Sequence, residues 1–109
     1  MKYIYLIGSI ETSLYKIGVT SKKELKNRLS NIQVGCPYKV EVIDIFPSEY
    51  SYKVEKILHR TMSTNKTDGN GVPLHGEWFY LGLEEVYKFQ ERCKLNEDNY
   101  ILFKDSGFG

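Results

Sequence analysis

Few residues in this chain have the means to do chemistry on a charged substrate. Glu55 and His59 stand four apart in a stretch of helical periodicity, so their side chains project next to each other at the border of its apolar face. Arg28 lies three residues after Leu25 and four before Ile32, flanking a second helical stripe. An arginine placed beside a core stripe serves either a salt bridge or a phosphate oxygen. In two strand-like runs, Tyr3, Tyr5 and Ile7 share one face of the first, while Lys16 and Gly18 share one face of the second. A strand glycine lets another backbone or a ligand come close. Each of these also has an ordinary structural reading: Glu55 and His59 as a helix-surface pair, Arg28 as an ion-pair partner, Tyr5 as core.

The elements that must position them can be read in order. Tyr3 to Ile7 and Leu14 to Val19 are rich in aromatic and β-branched residues on either side of a polar turn, Ser9 to Ser13, which predicts a β-hairpin. Ser21-Lys22-Lys23-Glu24 has the form of a capping box, and Leu25, Leu29 and Ile32 follow at helical spacing, predicting a helix over Lys22 to Gln33. Gly35-Cys36-Pro37 ends it, and a third strand is expected over Tyr38 to Phe46. Pro47-Ser48-Glu49 opens a second helix whose inward face is Val54, Ile57, Leu58 and Thr61. Ser63 to Pro73 reads as a mobile polar loop, followed by a solvated His75 and a short Gly76 to Leu81 strand with the only tryptophan. Glu77 and Trp78 read as a packing and turn element near the site, with Trp78 as core rather than a base-stacking platform. A third helix should run from Leu83 to about Lys94, with Glu84 and Glu85 in its first turn, leaving Asn96 to Gly109 as a tail whose Tyr100-Ile101-Leu102-Phe103 run could pair or pack locally.

A chain of 109 residues, 41% of them hydrophobic, supports one modest core. No run is long and apolar enough for a membrane span or a signal peptide, so a cytoplasmic location is expected, in a bacterial or phage-infected cell. Cys36 and Cys93 lack metal-ligand spacing and read as two reduced thiols. The net charge is only +1, yet residues 1 to 66 hold eleven Lys or Arg against six Asp or Glu, while the remainder holds four against eight. That asymmetry would concentrate positive potential where phosphates could be drawn in.

The two triplets Tyr3-Ile4-Tyr5 and Lys16-Ile17-Gly18, with Tyr15 directly before the second, resemble the strand signatures of the GIY-YIG nuclease family. The nearest likeness is a small phage and bacterial branch with a Tyr-Lys-Ile-Gly second strand, often described as DNA-binding. The resemblance implies an α+β fold: a central three-stranded, mainly antiparallel sheet built from hairpin, helix, strand and helix, with a short Gly-Glu-Trp-Phe strand and a C-terminal helix. The domain would cover residues 1–95, with 96–109 as a tail.

Cutting a phosphodiester needs a nucleophilic water, a cation for charge developing on phosphate, and help for the leaving oxygen. By resemblance Glu55 would be the sole protein ligand to Mg²⁺ or Mn²⁺, Arg28 would hold a phosphate oxygen, and Tyr5 would orient or deprotonate the attacking water. Strand phase puts Lys16 where the family has its second tyrosine, as a base or a phosphate ligand. Tyr15 would serve instead if a bulge shifted the register. His59 would fill the place of a family residue absent after Arg28. Lys16, Lys22, Lys23, Lys26, Arg28, Lys53 and Lys56 would line the nucleic-acid surface. The implied function is a divalent-metal-dependent DNA endonuclease, with a protein partner as a source of target choice. The alternative is a non-catalytic DNA- or protein-binding module of the same fold, a phage accessory protein. The number of subunits is left open.

Overall fold

A computed structural model of the chain describes residues 1–62, 65–67, 71, 73–74 and 76–106. The expected His75, and much of the loop from Ser63 to Pro73, lie outside the described residues. Lys2–Ser9 (β1) and Leu14–Ser21 (β2) form the hairpin; then come Leu25–Val34 (α1), Glu41–Ser48 (β3), Ser51–Thr61 (α2), Trp78–Tyr80 (β4), Leu83–Tyr87 (α3) and Phe89–Asp105 (α4).

The fold is α+β, with one antiparallel four-stranded sheet in the order β3-β1-β2-β4. The Gly-Glu-Trp-Phe segment therefore joins the sheet as its outer strand, beside β2. β1 is central and buried on both faces, which explains its unbroken apolar run. One face carries Tyr5 and Ile7 and is covered by α1 through Ile32, Leu25 and Leu29. The other carries Ile4, Leu6, Tyr15, Ile17 and Val19 and packs on Val54, Leu58, Val86, Phe89 and Cys93 from α2, α3 and α4. Val54, Leu58 and Phe79 are wholly buried, and each such side chain stabilises the fold by about 1.5–3 kcal/mol.

The β1–β2 ladder runs without interruption from Lys2 opposite Ser21 to Ser9 opposite Leu14. An irregularity does occur, but between β1 and β3, where Leu6 faces Asp44 and Ile7 faces Val42, leaving Ile43 as the extra residue. The bulge that would have brought Tyr15 to the other face is thus absent from β2.

Several boundaries differ from the sequence reading for local reasons. Ser21 Oγ accepts the Glu24 N–H at 3.2 Å, but this caps a turn, and the helix proper starts at Leu25 rather than Lys22. The third strand starts at Glu41 rather than Tyr38, because the Gln33 amide takes the preceding backbone groups: it donates to Tyr38 O at 2.8 Å and accepts from Val40 N–H at 2.9 Å. Pro47 and Ser48 extend β3 instead of opening a helix; β3 is an edge strand, where a missing N–H is tolerated. The third helix is two, turning at Lys88, and the expected tail is helical as far as Asp105. That last helix is tied down: Gln90 Nε2 donates to Asp44 Oδ1 and Ile45 O, both at 2.7 Å, and Ser48 Oγ donates to Glu97 Oε2 at 2.5 Å. The Tyr50 and Tyr100 rings meet with centroids 5.2 Å apart. Among the described residues no helix is long and apolar enough to cross a membrane.

Candidate functional site

The site lies where β4 stops short along β2. The last backbone contact between them is Ile17 N–H to Glu77 O at 3.1 Å. The Ile17 carbonyl, on the same strand edge, is taken by a side chain instead: His59 Nε2 lies 2.9 Å from it. A carbonyl can only accept, so Nε2 carries a hydrogen, which it shares with Glu55 Oε1 at 3.1 Å. The imidazole is held edge-on against the Phe79 ring, centroids 4.9 Å apart. His59 therefore anchors α2 to the open edge of β2, and one helical turn earlier Glu55 projects at the same place. Burial raises the Glu55 carboxyl above the ordinary carboxylate range, the facing His59 lowers it in part, and the charge of Glu77 raises it again.

On the α1 face, Tyr5 stands opposite Gly18. Its phenol crosses the glycine and donates to Glu77 Oε1 at 3.1 Å. A Cβ at Gly18 would come within 2.6 Å of Glu77 Oε1 and 2.7 Å of the Tyr5 ring carbon bearing the hydroxyl, so any larger residue would have to displace one of these two side chains. Burial first, then Glu77, pushes the Tyr5 phenol well above its ordinary range, while Arg28 opposes this. Tyr5 is thus a hydroxyl donor at neutral pH. Glu77 is in turn positioned by Lys66, whose Nζ donates to Gly76 O at 2.7 Å and Trp78 O at 2.5 Å.

Arg28, from α1, is exposed, and among the described residues it has no carboxylate partner. The salt-bridge alternative for it falls away within that set. Lys16 shares the face of Tyr5 and Gly18, but its ammonium sits over Trp78, 5.8 Å from the ring centroid. Tyr15 is on the opposite face, 1% exposed. Lys22, Lys23 and Lys26 are exposed on and just before α1. Lys53 and Lys56 face another groove, shared with Arg60 and Tyr100.

The structure thus brings Tyr5 and Glu77 together at Gly18, with Arg28 and Glu55 close enough to act electrostatically on the Tyr5 phenol and His59 on the neighbouring Ile17 carbonyl; sequence reasoning took Glu77 for a packing and turn element near the site. The signal for Glu77 lay only in the β2–β4 register. Among the described residues no three His, Cys, Asp or Glu side chains could together hold a metal ion.

A family model described as the T5orf172 domain matches residues 2–94. The chain belongs to the T5orf172 domain family. No curated protein and no solved structure matches it. This overturns the GIY-YIG resemblance, for which there is no family match. The reason is physical. In this hairpin Ile4 and Ile17 are core, and alternating aromatic and β-branched residues are what any half-buried hairpin demands, so two triplets specify a family poorly. The T5orf172 domain is phage-associated and points to a DNA-binding or nuclease-like protein.

Proposed function

We propose that this T5orf172 domain is a divalent-metal-dependent endonuclease that hydrolyses phosphodiester bonds in DNA. The observation that carries the reading is the meeting of Tyr5 and Glu77 over Gly18, with Glu55 facing them and Arg28 lacking a carboxylate partner among the described residues. A purely structural cluster gives no role to an exposed arginine that acts on the Tyr5 phenol without a carboxylate of its own among the described residues.

In this scheme the Arg28 guanidinium binds the phosphate oxygens by its planar fork. Water attacks phosphorus and gives its proton to the Tyr5 oxygen as Tyr5 passes its own to Glu77, so the proton ends on a carboxylate while the phenol is never a free phenolate. The P–O bond to the leaving sugar oxygen breaks, and that oxygen takes a proton from solvent. His59 positions Glu55. Lys16 holds the strand electrostatically from its seat on Trp78.

The donor set suits Mg²⁺ or Mn²⁺: hard carboxylate oxygens, with Glu55 as first ligand, in an arrangement where the like charge of Glu77 is relieved by a cation. Such ions are commonly held by one or two carboxylates, the rest being water and substrate phosphate. Bound there, the ion would stabilise charge on the phosphoryl oxygens. Lys22, Lys23 and Lys26 would extend the phosphate-binding surface, and a partner protein would supply target choice.

The test is nicking of plasmid and of branched or single-stranded oligonucleotides in Mg²⁺ or Mn²⁺. Glu55→Gln and Arg28→Ala should each lower cleavage by about a hundred-fold or more. Cutting that survives both changes would sink the reading. A second reading, a DNA-binding module that does not cut, needs only the exposed cations Arg28, Lys22, Lys23 and Lys26. A wild type inert on every substrate yet retaining salt-sensitive DNA affinity would select it.

A further inference from the structure

Two residues beyond Gly18 on β2, and on the same face, Thr20 is 4% exposed, and its Oγ1 is buried with no hydrogen-bond partner among the described residues. Leaving a buried hydroxyl unsatisfied is costly, and a β-branched valine would serve the strand equally well. Thr20 is one of the residues lining a polar groove of about 330 Å³, with Lys2, Asn27, Arg28, Asn31 and Tyr52, and its hydroxyl lies beneath the groove surface. Asn27 and Asn31 stand one turn apart on α1, so their amides, with Arg28 between, face the strand across the groove. Lys2 closes the far end, its ammonium 6.0 Å from the Tyr52 ring centroid. Glu24 is the only acid in the lining, against the two cations.

We infer that this groove is a second phosphate subsite, holding the phosphodiester that neighbours the one at Gly18 on the same nucleic-acid strand, with Thr20 Oγ1 donating to one of its oxygens. The inference rests on the proposed DNA-directed reading of the site at Gly18. Two residues of an antiparallel strand span about 7 Å, the scale of one nucleotide in an extended chain. A strand laid along β2 therefore brings successive phosphates to Gly18 and Thr20. Arg28 serves as the link, since it lines the groove and also acts electrostatically on Tyr5.

The experiment measures binding of a short fluorescent single-stranded oligonucleotide in EDTA, so that no cutting intervenes, beside thermal melting. Thr20→Val should weaken binding about ten-fold, the loss of one hydrogen bond to a charged oxygen. Its melting temperature should hold or rise by a few degrees, because an unsatisfied buried hydroxyl has gone. Thr20→Ser should bind like wild type. Unchanged binding by Thr20→Val would overturn the subsite, as would displacement of the oligonucleotide by inorganic phosphate at matched ionic strength, which would mark a site for the free anion. Should cleavage in Mg²⁺ persist while Thr20→Val binds normally, the subsite fails and the hydrolytic reading stands. A wild type that never cuts, with binding weakened by Thr20→Val, leaves the subsite standing and removes the hydrolysis.

Discussion

Tyr5 and Gly18 face each other across the central hairpin, and the volume that a side chain at Gly18 would occupy is filled by the Tyr5 phenol and the Glu77 carboxylate. One missing methyl group thus lets a central-strand hydroxyl reach a residue at the far side of its neighbour.

Gly18→Ala should separate the two. The new Cβ cannot coexist with the Tyr5 hydroxyl, so ring or strand must shift, at a cost of about 1–3 kcal/mol in urea unfolding. Cleavage should fall further than stability. An alanine variant with full activity would show that the Tyr5–Glu77 bond is dispensable.

Tyr5→Phe keeps the ring and removes the bond, which should cost about 1 kcal/mol. Above the phenol's ordinary range the two proteins should also diverge in pH response. The folded state keeps the Tyr5 proton where the unfolded chain loses it, so wild-type stability is full below the unfolded value and declines as pH rises through the interval up to the raised folded value. The phenylalanine variant should lack that part of the decline. Denaturant midpoints measured across alkaline pH would reveal parallel slopes if this is wrong.

Glu55→Gln should melt at the same temperature as wild type or slightly higher at neutral pH. The Glu55 carboxyl is raised in the folded state, so its ionisation opposes folding as pH climbs from the unfolded value through the raised one. In acid, where the wild-type carboxyl is protonated in both states, the difference should vanish. Added Mn²⁺ should stabilise wild type alone. Equal metal stabilisation of both would remove Glu55 as the ligand.

Cys93 should resist alkylation in the native protein, since it is wholly buried and burial pushes its thiol up to about 12. Cys36 is partly exposed and should take the label first. Mass spectrometry of the labelled peptides decides, and modification of Cys93 at the rate of Cys36 would contradict the packing.

Truncation after Leu95 should be strongly destabilising, because it removes Asn96 from the packed face, Glu97 from Ser48 and Tyr100 from Tyr50. A shortened chain that melts like the full one would return these residues to the status of a tail.

The hairpin, both site helices and the face assignment of Lys16 and Tyr15 were legible because alternation and helical spacing are strict wherever a face is buried. α4 was not. Its inward stripe is Phe89, Cys93, Asn96 and Tyr100, correctly spaced, but one member is an amide and another a thiol, so its apolar signal fades after Phe89. Glu77 was hidden for a different reason. Nothing local distinguishes a turn glutamate from a site glutamate, and its role follows from β4 pairing with β2 rather than β3, a long-range choice. Lys66 was missed likewise, its partners being carbonyls ten and twelve residues on.

The brevity of β4 has a colloidal consequence. It pairs with β2 only from Leu14 to Lys16, so among the described residues no strand covers the outer edge of β2 from Gly18 to Ser21. An uncovered edge is a template for adding a strand from another molecule, and proteins blunt such edges with charge. Glu55 and Glu77 flank this one, the half-buried Glu55 facing the Glu77 charge. The carboxylates proposed to meet an ionic ligand at this edge would also keep one copy of the chain from zipping onto the next.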